Sequence, residues 1–131
     1  MPESLVNGAV PIVPYTSPRE AIRWLETAFG AEPVLMVPPE EDQPLQHAEV
    51  KVGTGLVMVD DADRDSPFAL PGPVVVYVVV DDPDGLHDRA AAAGAEITME
   101  LTDQDYGSRE FAARDPYGNL WSFGTYRPTM D

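Results

Sequence analysis

The same series of local signals is written twice along this chain, and that repetition limits the possible folds more than any other feature. Ser17-Pro18 matches Asp82-Pro83, Gly30-Ala31-Glu32 matches Gly94-Ala95-Glu96, and Gly55 matches Gly118, at offsets of 65, 64 and 63 residues. Ser or Asp before Pro opens a helix, because the side chain serves the free N–H groups and Pro presets φ where no N–H is needed. Gly closes a helix, because it accepts the left-handed conformation without a steric cost. Three such matches in register mark a duplicated module of about 65 residues.

Between these marks the apolar spacing reads β-α-β-β-β in each half. In the first half, strands are expected at 9–15, 33–37, 46–52 and 56–60. Ala21, Ile22, Leu25, Ala28 and Phe29 form the buried stripe of a helix that Ser17 and Glu20 start as a capping box. Residues 61–72 read as a polar connector. In the second half, strands are expected at 74–80, 96–101, 109–114 and 119–126, with a helix carrying Leu86, Ala90, Ala91 and Ala93. Residues 74–80 do not alternate, which predicts a strand buried on both faces. The expected fold is α+β, with two tandem β-α-β-β-β modules forming curved mixed sheets around a cavity. One domain spans 1–131, with module one at about 8–70 and module two at about 71–127.

The last strand is the most informative. Asp115-Pro116-Tyr117-Gly118-Asn119 has the chemistry of a reverse turn: an acceptor side chain, a preset φ, then residues tolerant of positive φ. Beyond it, Trp121 and Phe123 share one face, while Leu120, Ser122 and Gly124 share the other. The bulky face belongs in a core beneath a helix, and the sparse face borders a cavity.

Charge and composition exclude several functions. The net charge of −15 disfavours nucleic acid and anionic membrane surfaces and attracts cations. The absence of cysteine removes disulfides, thiolate metal ligands and a cysteine nucleophile. The longest apolar run is far too short to span a bilayer, and the proline-broken start lacks a signal peptide's basic region, so a cytoplasmic location is expected. No Gly-rich phosphate loop or local nucleophile–base pair is present.

The paired modules, the ending Arg114-Asp-Pro-Tyr-Gly-Asn-Leu-Trp-Ser-Phe-Gly-Thr125 and the stretch His47–Gly53 resemble the vicinal oxygen chelate superfamily, which contains glyoxalase I, bleomycin resistance proteins and extradiol dioxygenases. The resemblance implies metal ligands on the first and last strand of each module, the last lying four residues after the turn glycine. Those positions read Val10, Val59, Val75 and Ser122 here. Valine cannot coordinate a metal and a lone serine is a poor ligand. The resemblance therefore implies the metal-free, small-molecule-binding branch, with no cofactor and with a homodimeric assembly.

The expected ligand-binding residues are Val10, Ile12, Val59, Val75, Tyr77 and Ser122, with His47, Tyr106 and Arg109 as polar additions; no catalytic or metal residue is assigned. Arg109 could instead pair with Asp103, Asp105 or Glu110. His87 is expected in solvent, and Trp24 in helix packing. The expected partner is a small organic molecule, cationic and amphipathic, because the walls are apolar and the field negative. Sequestration of a toxin or antibiotic is one use the resemblance implies. The alternatives are a metal-dependent lyase or dioxygenase with ligands displaced to His47, Glu49 and Asp60, and a structural protein whose cavity is filled by its own side chains.

Overall fold

The computed structural model describes residues 10–63 and 75–128. Module one runs β1 (Ile12–Tyr15), α1 (Pro18–Phe29), β2 (Glu32–Val37), β3 (His47–Val52) and β4 (Gly55–Asp61). Module two runs β5 (Val75–Val79), α2 (Pro83–Ala92), β6 (Glu96–Asp103), β7 (Arg109–Arg114) and β8 (Leu120–Gly124). The expected connector lies mostly outside the described residues, as do the first residues expected in β1 and β5.

The two modules build the same four-stranded mixed sheet. The strand orders are β1-β4-β3-β2 and β5-β8-β7-β6, with the first strand parallel to the last and the other pairings antiparallel. Neither sheet closes on itself. The duplicated α+β topology agrees with the reading from sequence.

Helix boundaries follow the local chemistry. Pro18 and Pro83 each occupy the first helical turn, and Gly30 ends α1 in the left-handed region at φ 68°. Asp82 caps α2 by accepting a bond from the Gly85 N–H at 3.1 Å. Ser17 stands at the equivalent position, but its hydroxyl makes no cap bond, so the capping box expected there is not formed.

One face of each sheet is covered by the helices. Phe29 of α1 meets Trp121 and Phe123 of β8 edge-on at 5.3 and 4.8 Å, and Phe123 stacks on Phe111 at 5.1 Å. Trp121, Phe111 and Phe123 are completely buried, which confirms the bulky face of β8 as core. Each such side chain contributes about 1.5–3 kcal/mol by leaving water. The helices also touch each other. Trp24 Nε1 donates to the Ala93 carbonyl at 2.7 Å, and Arg89 Nε donates to the Thr27 carbonyl at 2.8 Å.

A buried carboxylate forms a second join between the modules. Asp115, 3% exposed, accepts bonds from the Tyr15 hydroxyl of β1 at 2.6 Å and from Trp121 Nε1 at 3.1 Å. Its other oxygen accepts the Tyr117 and Asn119 N–H groups at 3.0 and 2.9 Å. Asn119 Nδ2 donates in turn to the Pro14 carbonyl. The Asp-Pro-Tyr-Gly-Asn turn thus orders itself and grips module one. Burial and the neighbouring carboxylate push the Tyr15 hydroxyl far above the ordinary tyrosine range.

Two local expectations differ from the structure. The strand β5 is not buried on both faces: Val78 is buried but Val75 is 48% exposed, because no described element covers the sheet face opposite the helices. His87 is not a solvated residue. Its ring meets Phe111 edge-on at 5.4 Å and bonds Asp88 and Glu100, because α2 lies close over β7.

Candidate functional site

The uncovered face of the module-two sheet carries an open groove of about 520 Å³. Val75 and Tyr77 come from β5, Ser122 from β8 and Glu110 from β7, and strand parity brings them together. Tyr77 pairs in register with Ser122, and Glu110 pairs with Gly124. Tyr106, from the loop before β7, and Tyr126, after β8, form the rim, with ring centres 6.0 Å apart and nearly perpendicular.

This rim is tied down by hydrogen bonds. The Tyr77 hydroxyl donates to the Tyr126 carbonyl at 2.8 Å, and the Tyr126 N–H donates to Ser108 Oγ at 3.1 Å. The Tyr106 hydroxyl donates to Glu110 Oε1 at 2.7 Å. That bond, first, and then slight desolvation and the negative charge of Glu110 push the Tyr106 hydroxyl up to about 12. Burial, first, raises Tyr77 as well. Both tyrosines therefore stay neutral donors at physiological pH.

Sequence reasoning and the structure meet at Val75, Tyr77, Tyr106 and Ser122, which share this groove. The other expected residues lie elsewhere. Ile12 and His47 belong to the module-one sheet; Ile12 is exposed, and Val10, half-buried, precedes β1. Val59 is fully buried in the core. The turns explain this difference: residues 53–54 join β3 to β4, whereas residues 115–119 join β7 to β8. A count of four from the turn glycine therefore does not carry over from Gly118 to module one, and the one-residue slip from Met58 to Val59 reverses the face. The residue facing Ile12 across β1 and β4 is Met58, as Ser122 faces Tyr77.

Arg109 is also placed away from the groove. It shares parity with Phe111 and Ala113 and turns toward α2, where Nε donates to Asp84 at 2.7 Å and Nη1 donates to Asp103 at 3.1 Å. Sequence inspection saw Asp103 as a partner but not Asp84, which α2 supplies from 25 positions away. It also missed Glu110 and Tyr126 as groove residues. Alternation along β7 was the available signal, since Glu110 lies on the opposite face from Phe111.

On module one, His47 Nδ1 lies 2.9 Å from Asp60 Oδ1, and Nε2 lies 3.3 Å from Glu49 Oε2. Partial burial opposes the charge on His47, but the bonds to Asp60 and Glu49 raise its pKa overall. Both ring nitrogens are thus engaged by carboxylates. Among the described residues, no group of three or more His, Asp or Glu side chains is arranged to hold a metal ion. The groove itself offers one carboxylate, tyrosine hydroxyls and a serine, a donor set that does not fit a catalytic zinc, nickel or iron centre.

Comparisons with known proteins agree with this architecture. The model of the Glyoxalase/Bleomycin resistance protein/Dioxygenase superfamily matches residues 10–123. Protein Rv0887c of Mycobacterium tuberculosis is 34% identical over 112 residues, covering 79% of this chain and 65% of that protein. The crystal structure of TioX from Micromonospora sp. ML1 is 32% identical with a TM-score of 0.78, covering 95% of this chain and all of that one. The bleomycin-binding protein of Streptomyces verticillus, solved with copper(II)-bleomycin, shares the fold at 22% identity and a TM-score of 0.63, covering 97% of this chain and all of that one.

Proposed function

This chain belongs to the Glyoxalase/Bleomycin resistance protein/Dioxygenase superfamily, and we propose that within it the protein is a metal-independent binder of small organic molecules. The observation that carries this reading is the donor set of the groove. Where the resemblance calls for a metal ligand on the last strand stands Ser122, beside tyrosines and valine. A volume of about 520 Å³ lies within the range of ligand sites, roughly 300–1,000 Å³, and mostly apolar walls with a few oriented polar groups suit an organic guest. An open groove of that size also speaks against a cavity filled by the protein's own side chains.

The ligand is amphipathic and cationic. A net charge of −15 sets up a negative potential that concentrates cations. Arg109, which would have asked for an anion, is neutralised by Asp84 and Asp103 outside the groove. Sequestration of a toxic compound or antibiotic is the use that best fits binding without a metal.

The protein works as a homodimer in the cytoplasm. Ile12, Val34, Leu35, Val37 and Val75 are exposed apolar residues of the strands, and a second copy would cover such a surface. Light scattering gives the mass and cell fractionation the location.

Metal dependence is the decisive test. Protein purified without chelator should hold well under one equivalent of zinc, nickel, iron or manganese. After chelation it should keep the full thermal stabilisation given by aromatic amines, since a ligand of the folded state alone raises the melting temperature. Stoichiometric metal that disappears in His47→Ala would overturn this function in favour of a lyase or dioxygenase with displaced ligands.

A further inference from the structure

Glu110 is an unusual residue for the floor of an apolar groove. It is 7% exposed, and a buried carboxylate is costly unless its charge is balanced. Its hydrogen-bond partner among the described residues is the neutral Tyr106 hydroxyl on Oε1. None of their ion pairs includes Glu110, and the adjacent Arg109 turns to the other face of the sheet. Among the described residues the carboxylate therefore has no counter-ion of its own.

The surrounding chain makes room for this arrangement. Gly124 pairs with Glu110 in register, and a Cβ at Gly124 would lie 2.5 Å from Glu110 Cγ and 2.7 Å from the Tyr77 hydroxyl. Only glycine lets the carboxylate and the Tyr77 hydroxyl occupy the same corner. Tyr77, Tyr106 and Tyr126 stand around it, and ring faces attract cations through their quadrupole. On the module-one sheet the corresponding pair is His47 and Asp60, where an imidazole faces the acid. In module two Glu110 stands in the place of His47 and Gly124 in that of Asp60, so no imidazole lies across from this acid.

We infer that Glu110 is the anchor of the groove and takes the protonated amine of an aromatic ligand, with its ammonium on Oε2 and its ring among Tyr77, Tyr106 and Tyr126. This rests on the small-molecule-binding reading and adds to it a class of ligand and a residue that selects it. The selection is local. It differs from the long-range attraction of an acidic surface, which is screened beyond about 8 Å at physiological ionic strength.

The test is calorimetric titration with a matched set: 1-naphthylmethylamine, 1-naphthylmethanol and 1-naphthoate. The amine should bind wild-type protein about tenfold or more tightly than the alcohol, the scale of a charge-assisted hydrogen bond, and the naphthoate least. Glu110→Gln keeps a carbonyl for the Tyr106 hydroxyl and removes the charge, so the preference for the amine over the alcohol should disappear. Asp105→Asn, an exposed acid nearby, should leave the ratio intact. Raising the salt concentration gives a second measurement on wild-type protein alone, useful if Glu110→Gln folds poorly. A contact within the groove keeps most of the amine preference, and a surface field loses it. Equal binding of amine and alcohol by wild-type protein, a preference that survives Glu110→Gln, or one abolished by salt would overturn the assignment of Glu110 while leaving small-molecule binding in place. Binding of none of the three would overturn both.

Discussion

Asp115 is the residue whose removal should cost this protein most stability outside its apolar core. The substitution to consider is Asp115→Asn, which keeps the shape. One oxygen can still receive the Tyr117 and Asn119 N–H groups. The new amide NH₂ then points at Tyr15 and Trp121. A hydroxyl can rotate to accept from it, but the indole N–H is a donor only and is left facing another donor. Loss of one charge-assisted bond costs about 1.5–3 kcal/mol, and an unsatisfied buried donor about 1–3. Relief from burying a charge works in the other direction. With four donors already serving the carboxylate, the loss outweighs that relief. A net cost of about 3 kcal/mol is expected, or a melting temperature lower by roughly 10 °C in a domain of this size. Tyr15→Phe deletes one donor and leaves three, so about 2 kcal/mol is expected. Urea unfolding followed by far-UV circular dichroism measures both without depending on Trp121 fluorescence. The double variant should cost less than the sum, since both substitutions break the same contact between modules. Asp115→Asn within about 0.5 kcal/mol of wild type, or full additivity with Tyr15→Phe, would refute the view that this carboxylate joins the two halves.

Two further outcomes are expected. His87 bonds Asp88 and Glu100, and the first of these chiefly holds its pKa above the ordinary 6.5 despite partial burial. The charged form is therefore favoured on folding, so its stabilisation is complete below pH 6.5 and is lost as pH rises through the folded value. The stability difference between wild type and His87→Gln should shrink from pH 5.5 to 8.5 in paired melting curves, and a difference that grows with pH would contradict the assignment. Gly124→Ala should cost about 1–3 kcal/mol of overpacking and weaken amine binding, because the methyl enters the corner shared by Glu110 and Tyr77. Unchanged calorimetric affinity would show that this corner takes no part in the groove.

The periodic and covalent features of this fold are legible in the sequence because they act over a few residues. Proline after Ser or Asp starts each helix, glycine stops α1, and the Asp-Pro-Tyr-Gly-Asn turn follows from side-chain acceptors and backbone freedom within five positions. Alternation along β8 separates Trp121 and Phe123 from Ser122, and the burial of the first two follows from that. The duplication shows as well, since equal modules carry equal punctuation.

Tertiary structure alone decides whatever depends on register and on partners distant in the chain. The turn between β3 and β4 is shorter than that between β7 and β8, so Val59 lies in the core and Met58 takes the place that Ser122 has in module two. Arg109 is claimed by Asp84 from a helix, and His87 by the ring of Phe111, because packing brings α2 over β7. Asp115 reads locally as a turn residue, yet its second oxygen meets Tyr15 one hundred positions away. Glu110 reads as one acid among 23, and only the fold shows it buried, without a counter-ion among the described residues and ringed by tyrosines. Local sequence fixes conformations through short-range sterics and hydrogen bonds, whereas the character of a charge is set by which neighbours three-dimensional packing brings to it.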